Sequence, residues 1–126
     1  METYFKPTTS FANFVYGTMV MQAYAVQTGI EALRRNKPHC MGSLYWQIND
    51  VWPVFSWASV DFYGQWKALH YRAREMHKNI MISIAPDNLT PTNQFAFVTN
   101  DYLSVKRGNL TIDLNGFDGS TIDSWS

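Results

Sequence analysis

Three tryptophans stand close to an asparagine and an aspartate: Trp46, Trp52 and Trp57 with Asn49 and Asp50. Sugars present C–H faces that pack on aromatic rings and hydroxyls that need directed hydrogen bonds. A tryptophan beside Asn and Asp supplies both, so the group reads as a carbohydrate platform. The same tryptophans would also suit the core of a large protein, and composition does not separate the two readings.

Other candidate chemistry is sparse. The glutamates are Glu2, Glu31 and Glu75. Glu31 and Glu75 fall in helical patterns, where solvated faces and ion pairs account for them. No two carboxylates are placed by sequence for paired acid/base work on a sugar. Asp50 and Asp61 flank an aromatic stretch and are the best-placed acids; capping of the loop is the alternative role. His70 and His77 share a helix face two turns apart, too far for a compact metal site. With His39 they read as hydrogen-bonded structural histidines. Cys40 is the single cysteine, so no internal disulfide forms, and it reads as a small buried hydrophobe. No nucleophile-elbow serine and no glycine-rich phosphate loop occur.

The elements that must position these residues follow from periodicity. Val15, Met19, Ala23, Val26, Ile30 and Leu33 recur on one face of a helix from Ser10 to Asn36. Ser10 is a candidate N-cap, Arg34, Arg35 and Lys37 suit the negative end, and Pro38 stops the helix. Gly17 and Gly29 weaken it. Cys40–Asp50 is near-continuously apolar and predicts a strand buried on both faces, with the polar Gln47, Asn49 and Asp50 at its C-terminal end. Val51–Gly64 is an aromatic loop broken by Pro53. Gln65–Lys78 predicts a second helix with Trp66, Leu69, Ala73 and Met76 inside. After Asn79 the pattern alternates, predicting three or four short antiparallel strands separated by turns. A β-sandwich needs about seven strands and a lone parallel strand needs a sheet. Both ends of the chain therefore read as cut.

Composition narrows the class. The 126 residues carry zero formal net charge, 16% charged and 16% aromatic residues. Leu, Ile, Val and Phe together exceed the ~20% below which disorder is expected. Binding of nucleic acid through bulk charge is excluded. No apolar run approaches the ~18–20 residues of a membrane helix, and residues 1–4 lack the blocks of a signal peptide. Low charge with many aromatics predicts surface made to be covered.

The run CMGSLYWQINDVWPVFSWASVDFYGQWKALHY, Cys40 to Tyr71, resembles the end of the catalytic barrel of β-mannosidases of glycoside hydrolase family 2. NFVYGTMVMQAYAVQTGIEALRRNKP, Asn13 to Pro38, resembles the helix before that strand. VTNDY and LNGFDG are similar to the immunoglobulin-like domain that follows the barrel. The resemblance implies an α/β plus β chain. Residues 1–78 would be the last helix–strand–helix of a (β/α)8 barrel. Residues 79–126 would be the first part of an antiparallel immunoglobulin-like sandwich. It implies retaining hydrolysis of terminal β-D-mannose by two glutamates that lie upstream of the matched segment, so that this chain alone is inactive. Trp46 would floor the subsite of the sugar being cleaved, with Asn49, Asp50 and Trp52 on the pocket rim. The implied partner is a β-mannoside oligosaccharide or glycoprotein glycan, with no nucleic acid, membrane, metal or organic cofactor.

Alternatives stay open. One is a sibling β-galactosidase or exo-glucosaminidase. Another is a non-catalytic carbohydrate-binding piece. The third is a structural piece that self-associates through bare sheet edges. Two N-x-T triplets, Asn88-Leu89-Thr90 and Asn109-Leu110-Thr111, matter only in a glycosylating secretory compartment. The sequence assigns no compartment.

Overall fold

The computed structural model describes residues 4–86 and 92–126. The described elements are two helices, α1 (Phe11–Arg35) and α2 (Ala68–Met76), followed by four strands. The strands are β1 (Ile80–Pro86), β2 (Gln94–Asn100), β3 (Ile112–Asn115) and β4 (Thr121–Trp125). They form two separate two-stranded antiparallel sheets, β1–β2 and β3–β4. The turn expected near residues 85–93 and the triplet at 88–90 fall wholly or partly outside the described residues.

Helix α1 begins where its cap dictates. Ser10 is extended, and its hydroxyl accepts the Asn13 N–H at 3.2 Å. Arg34 and Arg35 occupy the last turn, ahead of a cis Lys37–Pro38 bond. Gly17 and Gly29 do not interrupt it, because tertiary packing outweighs their propensity cost. Ala23 and Ile30 are buried against Leu69, Ala73 and Met76 of α2. The buried stripe thus lies slightly around from the one expected. Leu33 is exposed, and Arg34 takes its place inside.

Helix α2 is shorter than the expected Gln65–Lys78. Asp61 holds the preceding turn by accepting the N–H groups of Tyr63 (2.9 Å) and Gln65 (2.7 Å), with Gly64 at φ 80°. Lys67 N–H then bonds the Ser59 carbonyl at 2.9 Å, which keeps Lys67 extended and delays the helix to Ala68.

The strand expected over Cys40–Asp50 is absent. Only Asn49 pairs, in a single parallel bridge to Val60. A strand needs a neighbour to satisfy its backbone groups, and among the described residues only the returning arm of the aromatic loop offers one. The apolar run is therefore bare; Leu44 is 99% exposed. Cys40 is half-buried, not buried as expected.

The β half also departs from a sandwich. In β1, Met81 and Ser83 face inward, whereas Ile80, Ile82 and Ile84 face out. Ile82 pairs with the equally outward Val98. No second sheet among the described residues lies over that face, so the isoleucines stay in solvent. The β3–β4 hairpin turns through Gly119 at φ 88° and carries a register shift at Leu114/Asn115.

One buried cation joins the halves. Arg34 donates to the carbonyls of Met76 and Lys78, the latter at 2.9 Å, and to Asp101 Oδ2 at 2.9 Å. Lys37 also pairs with Asp101, and the Asp101 N–H bonds the Asn79 carbonyl at 2.7 Å. The β1–β2 hairpin is thereby pinned to the C-terminal ends of α1 and α2.

Leu69 is 1% exposed at the centre of the helix seam. Leu69→Ala is expected to cost about 2–5 kcal/mol. The check is a lower urea midpoint with an unchanged slope.

Candidate functional site

The aromatic loop is closed at a neck. Val60 N–H bonds the Ile48 carbonyl (2.8 Å), Ser59 N–H bonds Gln47 (3.0 Å) and Asp50 N–H bonds Val60 (3.0 Å). Val51–Ala58 projects beyond these bonds. At the rim Trp46 is 74% exposed and Trp52 60%, and Trp57 and Phe55 are also exposed. Asn49 is exposed, and its side-chain amide donates to the Asp50 carbonyl at 3.2 Å. The Trp46–Gln47 peptide bond is cis.

Helix α1 supports the loop from one side. Gln22 Nε2 donates to the Trp57 carbonyl at 2.8 Å, and Phe11 meets Phe55 edge-on at 6.1 Å between ring centres. Between helix and loop lies an open cleft of about 540 Å³, lined by Val15, Met19, Gln22, Phe55, Trp57 and Lys67 among others.

Beneath the loop sit two polar clusters. Asp50 is 5% exposed, with both carboxylate oxygens engaged. Oδ2 takes Lys67 Nζ at 3.0 Å, and Oδ1 takes the Ser56 hydroxyl. Ser56 Oγ in turn accepts the Ala58 N–H at 2.9 Å. The Ser56 hydroxyl first, and the Lys67 charge with it, hold the Asp50 carboxyl below the usual carboxylate range against the opposing effect of burial. Ser59 is fully buried. Its hydroxyl donates to the Ile48 carbonyl (2.9 Å) and meets Tyr45 Oη (3.1 Å) and His70 Nδ1 (2.9 Å). A hydroxyl has one proton and that carbonyl only accepts, so Tyr45 and His70 donate to Ser59. His70 then carries its proton on Nδ1.

The remaining candidates are structural. Glu31 accepts Gln27 Nε2 at 2.6 Å and pairs with Arg35 at 3.7 Å; Glu75 pairs with Arg74 and Lys78. Asp61 caps its turn, and His77 Nδ1 meets the Ala73 carbonyl at 2.9 Å. Among the described residues no three His, Cys, Asp or Glu gather as metal ligands, and no helix is long and apolar enough to cross a membrane.

The structure thus puts Asn49 and Asp50 at the neck, Asp50 below the surface, with Trp46 and Trp52 exposed on either side of them along the chain; none of the four lines the cleft. Sequence reasoning missed Lys67, Ser56, Ser59 and Tyr45. One signal was present: Lys67 is the only cation between Pro38 and Arg72, in an otherwise aromatic stretch.

Comparison with known proteins matches the chain to segments of β-mannosidases. The resemblance carried by Cys40–Tyr71 is borne out: the chain is homologous to a segment of β-mannosidases. It is 45% identical to a β-mannosidase of Mus musculus over 75 residues, 54% of this chain and 8% of that protein. With β-mannosidase A of Aspergillus flavus it shares 34% over 113 residues, 85% of this chain and 12% of the other. A crystal structure of β-D-mannosidase from Dictyoglomus thermophilum superposes with a TM-score of 0.72 at 38% identity, covering 79% of this chain and 12% of that one. The chain spans about a tenth of the length of these relatives. No protein-family model matches it.

The Asp50 shift sets a pH dependence. Folding lowers this pKa, so the unfolded chain takes up the proton first as pH falls. The stabilisation is full above about pH 4 and is lost below it, through the folded value. The urea-midpoint difference between wild type and Asp50→Asn is expected to hold steady above about pH 4 and to shrink as pH falls below it. A difference that stays constant below about pH 4 contradicts the assignment.

Proposed function

We propose that this chain forms part of a retaining exo-β-mannosidase that hydrolyses terminal β-D-mannose. The observation that carries the reading is the likeness to β-mannosidases across the stretch holding the exposed Trp46 and Trp52. On this reading residues 1–78 are the last portion of a (β/α)8 barrel. Residues 79–126 open an immunoglobulin-like sandwich. The change from helical to antiparallel structure at Ile80 supports that division. The bare run around Leu44 is then the missing barrel strand, which takes its ladder only from neighbouring strands. The bare sheet edges would let the isolated chain self-associate.

Trp46 would floor the sugar subsite and Trp52 would wall it. Asn49 and Asp50 complete the rim. Retaining hydrolysis needs two carboxyl groups about 5–5.5 Å apart. Glu31 and Glu75 are committed to cations on helix faces and fit neither role. The likeness to β-mannosidases implies a catalytic glutamate pair upstream of the matched segment, outside this chain. A β-mannoside oligosaccharide or glycoprotein glycan is the substrate class.

The test compares the 126-residue chain with the longer polypeptide that carries it, on aryl β-D-mannoside, β-D-galactoside and β-D-glucosaminide. The longer polypeptide is expected to prefer the mannoside and release product with retained configuration. Trp46→Ala in it is expected to lower kcat/KM by about 10- to 100-fold, or ~1.4–2.8 kcal/mol. The short chain is expected to show no turnover. Preference for another glycoside assigns a sibling specificity. Sugar binding without turnover by the longer polypeptide assigns a binding role.

A further inference from the structure

We propose that Lys67 is a positioning residue, which through Asp50 and Ser56 fixes the aromatic loop in one pose and so sets the Trp52 ring for sugar binding. The sugar-binding half of this statement rests on the function proposed above; the clamp itself rests on geometry alone.

Three observations carry it. First, no backbone–backbone hydrogen bond lies within Val51–Ala58; those at the neck begin at Asp50 and Ser59. The loop is held from outside by side chains: Ser56 on Asp50, Gln22 on the Trp57 carbonyl, and Phe11 against Phe55. Second, Asp50 is fixed at both ends. Its N–H is tied to Val60 in the neck, and its carboxylate is split between Lys67 on one oxygen and Ser56 on the other. Third, Ser56 relays the constraint inward, because its oxygen also caps the Ala58 N–H. Force thus passes from the N-cap of α2 into the loop through a continuous bonded chain.

Direct contact with sugar is a poorer role for these groups. The Lys67 side chain is 14% exposed and that of Asp50 2%. Each carboxylate oxygen keeps a free lone pair, but burial leaves almost none of the group open to a sugar hydroxyl. Ion pairs that only neutralise buried charge also exist, but such a pair need not reach into a loop. Here the third member, Ser56, is a loop residue.

A clamp of this kind acts on binding. Trp52 would touch the sugar in ground and transition state alike, so loosening it raises KM more than it lowers kcat. Misplacement by about 1 Å is enough for large effects.

The experiment uses the longer polypeptide carrying Lys67→Met, which keeps the aliphatic stem and removes the charge. Lys67→Arg tests rescue, and Glu75→Gln, at an exposed ion pair, is the control. Amide exchange of residues 51–58 is read by mass spectrometry alongside KM and kcat on aryl β-D-mannoside. Lys67→Met is expected to speed loop exchange by about tenfold and raise KM by about tenfold, with kcat changed less than about twofold. Lys67→Arg is expected to recover most of both, and Glu75→Gln to match wild type. Unchanged loop exchange in Lys67→Met overturns the clamp. Faster exchange with unchanged KM overturns its role in binding. If Lys67→Met fails to fold, Ser56→Ala cuts the same chain while leaving the ion pair, and the same two readouts decide. If the wild type cleaves no mannoside, the functional reading fails, and exchange still decides the clamp.

Discussion

The aromatic loop and the β1–β2 hairpin both hang on the seam between α1 and α2. Ala23 and Ala73 are small, so the two helices approach closely enough for Ile30, Leu69 and Met76 to exclude water. Helix α2 could not hold its position alone, since it has nine residues and short isolated helices are marginal in water. Beyond this core the structure is pinned by polar groups at each end of the seam. At the C-terminal end of α1, Arg34 carries the β1–β2 hairpin. Toward its N-terminal half, Gln22 meets the aromatic loop, and Lys67 joins that loop from the start of α2.

Helices were legible because their signals are local. The 3.6-residue period, the Ser10 cap and the basic last turn all lie within α1 itself. The strand expected over Cys40–Asp50 does not form among the described residues, for the opposite reason. A two-sided apolar run says that a segment is suited to the interior of a sheet; it cannot supply the neighbours. The alternation in β1 was read correctly as a strand. Which face is inside depends on what covers it, and here Met81 and Ser83 take the inner face and the isoleucines the outer.

The candidate site was legible in its aromatic half only. Trp46, Trp52 and Asn49 announce themselves by type and proximity, and the structure leaves all three exposed. The supporting half was hidden, since Asp50 finds its partners six and seventeen residues away. Ser56, Ser59 and Tyr45 carry no distinctive pattern; only burial and hydrogen-bond geometry make them a network. Lys67 was the exception, a lone cation whose isolation among aromatics calls for an acid.

Two bare apolar regions remain, the run around Leu44 and the isoleucine face of β1. They call for different explanations than the tryptophans do. Leu44 and Ile82 are exposed aliphatic side chains, and apolar surface gains by being covered. Trp46 and Trp52 stand over a neck whose amides, hydroxyls and charges are already satisfied within the chain. A covering protein surface would need no such support beneath it. A ligand with both C–H faces and hydroxyls would, because its binding depends on rings held at fixed angles. The contrast is between apolar exposure with no ordered support and aromatic exposure held over a bonded neck, and the proposed sugar site rests on the second kind.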